Sequence, residues 1–213
     1  MTVLLNGLLG VEMIKTVIFD MGKVLLDYDA RKAGMRFAKA CKVPLAKVWL
    51  HFFTSPTEKA YTRGEITTRE FYRHAKQALK LPVPFSTFKH YWNDIFTEIE
   101  GMEKLLIQLK KHYPLYLISN TNQLHFDHIK KEFPHIFRHF KKTFPSHEMG
   151  SRKPEPEIFL KVLKKIKMKP EETVFIDDVQ KFLDGAKSVG MNTILFGNRE
   201  KLVRDLKKMN VKI

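Results

Sequence analysis

Cysteine is all but missing: Cys41 is the one thiol in 213 residues. A single thiol excludes an internal disulfide framework and any cysteine-built metal cluster, and it suits a reducing compartment, so a cytoplasmic location is expected. Cys41 itself lies in a helical pattern beside Ala38 and Val43 and reads as inert packing. Repeats and low-complexity tracts are absent, which excludes solenoids and propellers. At 44% hydrophobic and 12% aromatic residues, the chain is too apolar for disorder. No apolar run is long enough to cross a bilayer, and membrane insertion is not expected. The stretch MTVLLNGLLGVE has neither a basic leading region nor a small-residue cleavage site. Residues 1–12 therefore read as a loosely docked or unstructured extension, with Met13 as an alternative start. Their removal is expected to leave folding and activity intact.

Acidic residues are in deficit, 23 against 38 Lys and Arg, for a net charge of +15. That balance favours anionic partners in general. The basic clusters at 161–169, 141–144 and 204–212 carry no aromatic-interleaved groove, helix-turn-helix or RNA-binding signature. They read as a solvated basic surface, and specific nucleic-acid binding is not expected.

What is present is an alternation of short β-rich runs and amphipathic helical stretches, the pattern of a parallel α/β sheet. Strands are expected at 15–20, 115–119, 141–144, 173–177 and 192–196. Helices are expected at 122–132, 155–167, 179–189 and 199–209, the last capped by Asn198. From about 30 to 98 no strand is apparent. Helical segments at 30–41, 45–54, 57–62, 67–80 and 85–99 are separated by Pro44, Pro56, Gly64, Pro82 and Pro84, and Thr67 with Glu70 forms a capping-box signature. The expected organisation is a core made of 13–29 and 100–213 with an all-helical cap at 30–99. In an open α/β sheet ligands bind beyond the carboxyl ends of the strands, so this insert is placed to act as a lid.

Four polar sites that are distant in the chain fall at that edge: Asp20, Ser119, Lys153 and the pair Asp177 and Asp178. Three clustered carboxylates repel unless a cation neutralises them, and an all-oxygen set calls for Mg²⁺. Lys153 is a point charge suited to phosphate. Ser119 and the backbone amides near Asn120, at the start of a helix, suit phosphate oxygens. With that screening, Asp20 is placed to attack phosphorus and form an aspartyl phosphate.

The segments FDMGKVLLDYD, LISNT, MGSRKPEPEIF and VFIDDVQKFLDGAKSVGM resemble, in order and spacing, the four motifs of the haloacid dehalogenase (HAD) superfamily. The helical insert resembles the cap of its first subfamily. AYTRGEITTREF and the Asp-x-Gly form of the first motif look most like the branch containing α-D-glucose-1-phosphate phosphatase. The resemblance implies a Rossmann-like sandwich and a Mg²⁺-dependent phosphatase acting on a small phosphorylated metabolite, a hexose 1-phosphate being the first guess. It implies Asp20 as nucleophile and metal ligand, the Gly22 carbonyl as a further ligand, Ser119 and Asn120 on the phosphoryl group, Lys153 bridging nucleophile and phosphate, and Asp178 with Asp177 completing the metal site.

Here too an absence is informative. Most phosphatases of the superfamily carry a second acid at the position of Gly22, which protonates the leaving group and then activates water. Asp27 or Asp29 is a candidate substitute, and an anomeric leaving oxygen needs less help. Phe182 and Val179 stand where asparagine is common in relatives, and Lys23 replaces a small or amide residue. These departures support the alternative of a non-catalytic binding protein. The alternative of a 2-haloacid dehalogenase is disfavoured by the Asp177 and Asp178 pair and by Arg31 and Arg36 lying too near Asp20. Phe52, Tyr61 and Arg63 are candidate cap contacts, Trp49 and Trp92 read as cap packing, and the pairs His125/His128 and His135/His139 have metal-compatible spacing without flanking acids.

Overall fold

Five apolar runs pair side by side as one parallel sheet, and everything else in the molecule is arranged around its carboxyl edge. The computed structural model describes residues 13–213, so the extension read at 1–12 lies outside the described residues. In chain order, β1 (Thr16–Phe19) and β2 (Leu26–Tyr28) precede a run of five helices: α1 (Ala30–Cys41), α2 (Leu45–Phe53), α3 (Pro56–Thr62), α4 (Thr68–Leu79) and α5 (Phe85–Asn93). The chain returns through β3 (Phe96–Glu98) and α6 (Met102–Lys110) to β4 (Leu115–Ser119), α7 (Gln123–Glu132), α8 (Pro134–Phe137) and β5 (Lys142–Pro145). It continues through α9 (Ser146–Met149), α10 (Pro156–Ile166), β6 (Thr173–Asp177), α11 (Gln180–Lys187), β7 (Asn192–Leu195) and α12 (Arg199–Lys208).

The sheet order is β5-β4-β1-β6-β7, with every pairing parallel. Both faces are covered, which is why these strands read as continuous apolar runs rather than alternating ones. Val17, Phe19, Leu117 and Ile176 pack on one face against Leu105 and Leu109 of α6, Phe126 of α7 and Leu202 of α12. Ile18, Ile118 and Phe175 pack on the other against Ile158 and Phe159 of α10 and Leu183 of α11. From β1 the chain steps outward to β4 and β5, then crosses back to β6 on the other side. The switch in direction therefore falls at β1, and the crevice beyond its carboxyl end is where such sheets bind ligands.

The five inserted helices bury a separate aromatic core. Phe37, Phe52, Phe71, Phe88 and Trp92 are almost wholly buried, with ring centroids 4.8 Å apart for Phe37 and Phe52, 5.0 Å for Phe52 and Trp92, and 5.3 Å for Phe71 and Trp92. Each such ring contributes about 1.5–3 kcal/mol by burial. The capping box forms: the Glu70 amide donates to Thr67 Oγ1 at 3.2 Å and the Thr67 amide to Glu70 Oε2 at 2.7 Å. Asn198 Oδ1 likewise accepts the Lys201 amide at 2.8 Å.

Two sequence expectations change. The last inserted helix does not run to 99: it ends at Asn93, and Phe96–Glu98 pairs antiparallel with Leu26–Tyr28. Three residues make no recognisable strand alone; Phe96-Thr97-Glu98 becomes one because Leu26–Tyr28 offers a partner, and the two strands form the neck through which the insert leaves and rejoins the sheet. The second change is α6, which was not read between 99 and 115.

Polar contacts latch the insert to the edge of the sheet. Arg152 Nη1 donates to both Glu58 carboxylate oxygens at 3.2 Å, Ser146 Oγ donates to the Thr62 carbonyl at 2.6 Å, and Arg63 pairs with Glu155. Gly64, at φ +73°, has room for no side chain: a Cβ there would lie 2.1 Å from the His147 carbonyl oxygen. Among the described residues no helix is long and apolar enough to cross a membrane.

Candidate active site

Each central strand delivers one polar residue to the crevice. Asp20 follows β1, Ser119 ends β4 and Asp177 ends β6, so the three lie beside one another because their strands are neighbours. Lys153 arrives from the loop before α10. Asn120 holds that loop at both ends: its Nδ2 donates to the Lys153 carbonyl and its Oδ1 accepts the Lys153 amide, each at 2.8 Å. The Asn120 side chain, expected on a phosphoryl group, therefore works mainly as the clamp on Lys153.

The Lys153 ammonium is 1% exposed and donates to Asp20 Oδ1 and Asp177 Oδ2, both at 2.5 Å. Burial alone would lower its pKa, but the two carboxylates outweigh it and hold the lysine above its usual range. Burial pushes the Asp20 carboxyl up to about 7, against the pull of Lys153 and with a further push from Asp177. Asp178, half-buried, is also raised, first by burial and then by Asp177. Asp177 is committed on both sides, because its Oδ1 accepts the Val179 amide at 2.9 Å. It orients Lys153 and the turn after β6 rather than offering a free ligand atom.

One oxygen from each of Asp20, Asp177 and Asp178 lies within 4.8 Å of the others. Three carboxylates face one ammonium, so a hard divalent cation fits the uncompensated charge, and an all-oxygen donor set suits Mg²⁺. The donors that remain are the second oxygen of Asp20, Asp178 and the Gly22 carbonyl. The bridge at Gly22 uses its neighbours instead, with Leu26 N donating to Met21 O and Lys23 N to Leu26 O.

These groups form the floor of a cavity of about 270 Å³. Phe52 and Tyr61 line it, as the sequence had placed them; Arg63 does not and pairs with Glu155 instead. Trp92 packs the insert core and also faces the cavity. His125, which lines it too, is pushed down to about 4 chiefly by burial and stays neutral near pH 7. Its Nε2 contacts the Trp92 carbonyl at 2.9 Å. The other histidine pair gains acids that no local pattern shows: Glu98 reaches His135 at 2.8 Å and Glu103 reaches His139 at 3.2 Å. Arg138 already pairs with Glu103 at 2.9 Å, so this cluster is a surface charge network.

The departures from the resemblance find physical explanations. A Cβ on Gly22 would lie 3.0 Å from Cε1 of Tyr28, so a second acid there requires the Tyr28 ring to shift. Neither suggested substitute lines the cavity: Asp29 caps α1 by accepting the Lys32 amide, and Asp27 pairs with Lys23. Lys23 sits at φ +59°, a left-handed backbone that favours glycine or asparagine, with its ammonium over the Tyr28 ring rather than toward Asp20. Lys153 Nζ lies over the Phe182 ring, 5.0 Å from its centroid, and over that of Phe175 at 5.3 Å. An aromatic face thus takes over support of the ammonium. Val179 leaves α11 without a side-chain cap.

Comparison with known proteins agrees with this geometry. The family model of haloacid dehalogenase-like hydrolases matches residues 14–190. The chain belongs to that family. It is 27% identical over 188 residues to D-ribitol-5-phosphate phosphatase of Bacteroides thetaiotaomicron, covering 85% of this chain and 91% of that one. It is 36% identical over 116 residues to glyceraldehyde 3-phosphate phosphatase of Pyrococcus furiosus, a match to 50% of this chain and 46% of that protein. A solved HAD family enzyme of B. thetaiotaomicron, in complex with magnesium and inorganic phosphate, superposes with a TM-score of 0.81 at 29% identity, covering 89% of this chain and 98% of that one.

Two substitutions test this hydrolase site. Phe182→Leu is expected to lower turnover about tenfold with little change in KM, and Phe182→Tyr to retain it, as steady-state kinetics on folded variants will read. Gly22→Asp is expected to lower stability by about 1–3 kcal/mol through collision with Tyr28, and Tyr28→Ser to relieve that loss non-additively in melting experiments.

Proposed function

We propose that this HAD-family hydrolase is a Mg²⁺-dependent phosphatase of small phosphorylated metabolites, working through an aspartyl phosphate on Asp20. The observation that carries the reading is the buried Lys153 ammonium shared by Asp20 and Asp177 at the switch point of the sheet. Asp20 attacks phosphorus with a carboxylate oxygen. Lys153 holds the nucleophile in place and offsets charge on the transferring group. Ser119 and the Asn120 backbone amide receive phosphoryl oxygens. Asp20, Asp178 and the Gly22 carbonyl would hold Mg²⁺, with Asp177 supporting from behind; when bound, the cation neutralises the carboxylates and draws charge from the phosphoryl group. Water then cleaves the acyl phosphate and regenerates Asp20.

Residues 13–29 and 100–213 act as the catalytic core in this reading, and 30–99 as a cap that closes over the leaving group. The named activities of the two phosphatase relatives, on ribitol 5-phosphate and glyceraldehyde 3-phosphate, support a small substrate. A hexose 1-phosphate remains the sugar best matched to a site without the second acid. The single cysteine is in keeping with the cytoplasm. The departures that favoured a non-catalytic binding protein lose weight because Phe182 supports Lys153 instead of leaving it unheld.

The deciding experiment is phosphate release from a panel of phosphomonoesters with Mg²⁺ or with chelator, for the wild type and Asp20→Asn. Turnover is expected to need both the metal and Asp20; turnover that survives either loss overturns the mechanism. A second outcome follows from the raised carboxyls. A ligand carboxylate must lose its proton to bind the cation, so protons compete more strongly for Asp20 as pH falls through about 7. Mg²⁺ affinity, measured calorimetrically without substrate, is expected to fall about tenfold from pH 8 to pH 6, and to do so less steeply in Asp20→Asn.

A further inference from the structure

The walls above the carboxylates differ in kind from the floor. Phe52 and Phe53 of α2, Phe71 of α4, Trp92 of α5 and Phe96 of β3 line the cavity on the insert side. The polar side chains among them are turned toward one another. Tyr61 Oη contacts Thr68 Oγ1 at 2.8 Å and accepts the Leu124 amide at 3.3 Å. Thr62 Oγ1 accepts Arg152 Nη1 at 2.8 Å, which also holds Glu58. Both nitrogens of His125 are engaged, by Asn122 at 3.2 Å and the Trp92 carbonyl. Against the aromatic stretch of this wall a polyol would bury hydroxyls without partners, at about 5- to 100-fold in affinity for each. An aromatic ring would stack instead.

A second, independent observation concerns the leaving oxygen. Position 22 is a glycine with the Tyr28 ring against it, and Asp27 and Asp29 are outside the cavity. The further carboxyls that line the cavity, Glu58 and Asp178, are held by Arg152 and assigned to the metal respectively. A phenolate, whose conjugate acid has a pKa of about 10, leaves without a proton donor. The volume of about 270 Å³ accommodates a phosphoryl group and one ring, since a cavity of about 150 Å³ suffices for benzene.

We infer that the preferred substrates are phosphate monoesters of single-ring phenols, in which the scissile oxygen is attached directly to the ring. This deepens the phosphatase reading, rests on it, and sets the hexose aside. In the first step the Asp20 oxygen bonds to phosphorus while the bond to the aryl oxygen breaks, its electron pair leaving as phenolate, which takes a proton from solvent. In the second, water adds to phosphorus, its proton passes to solvent, and phosphate and the Asp20 carboxylate are released.

The test compares kcat/KM with Mg²⁺ for phenyl phosphate, benzyl phosphate, glucose 1-phosphate and ribitol 5-phosphate, in the wild type, Phe53→Ala and the volume-keeping Phe53→Leu. Phenyl phosphate is expected to exceed each of the others by about tenfold or more, and both variants to reduce that ratio mainly by raising KM for phenyl phosphate. Benzyl phosphate, with the ring but an alkoxide leaving group, is expected to bind comparably and turn over slowly. A preference for either sugar phosphate overturns the inference and leaves the phosphatase standing. A phenyl preference unchanged in both folded variants overturns the role of the aromatic wall. Absence of turnover on all four overturns the phosphatase reading beneath it.

Discussion

A buried ammonium tolerates few arrangements, and the one at Lys153 dictates the geometry around it. Its partners, Asp20 and Asp177, belong to strands that must be neighbours for both carboxylates to reach it. Its backbone is clamped by Asn120 from the end of β4, the other neighbour of β1. Removing the ammonium would leave two buried carboxylates uncompensated, a loss of about 3–5 kcal/mol in comparable buried pairs. The central three strands, the loop before α10 and the turn after β6 are thereby tied into one unit. The same pairing that stabilises the crevice also holds the Asp20 carboxylate in place.

The insert obeys a different constraint. Its helices cannot bury their rings on the sheet, which is already covered on both faces, so they make a core of their own and attach through the β2–β3 neck and the Arg152–Glu58 and Ser146–Thr62 contacts. Phe52, Phe71 and Trp92 belong to that core and also face the cavity. In the proposed reaction, folding of the insert and selection of a leaving group draw on the same side chains. Altering the wall without altering stability is possible only at its partly exposed members, such as Phe53 and Phe96.

What could be read in advance follows from where the determining contacts lie. The five sheet strands were legible because burial on both faces makes each a short unbroken apolar run, and Asp20, Ser119, Lys153 and Asp177 were legible because each stands beside such a run or a helix start. Glu70 declared its capping box three residues after Thr67. The three-residue strand β3 was not legible, because Phe96-Thr97-Glu98 acquires its conformation from a partner seventy residues away in the chain. Nor was the commitment of Asp177, whose second oxygen is taken by the amide of Val179. Phe182 looked like a lost hydrogen bond, and only the position of its ring reveals the contact that replaces it. Glu98 and Glu103 reach the histidines of α8 and its following turn solely through tertiary packing.

Glycine at position 22 separates the two halves of the proposed reaction. The ammonium, the nucleophile and the metal carboxylates stabilise charge on phosphorus in both steps, and none depends on that position. A proton donor matters in the first step in proportion to the basicity of the leaving oxygen, so its absence weighs on alkoxides and hardly on phenolates. In the second step the group displaced is the Asp20 carboxylate itself, a weak base that departs without a proton whatever the original substrate was. Water attack in that step also proceeds without a carboxylate base at position 22, but the step is common to every substrate, so in the proposed reaction discrimination falls in the first.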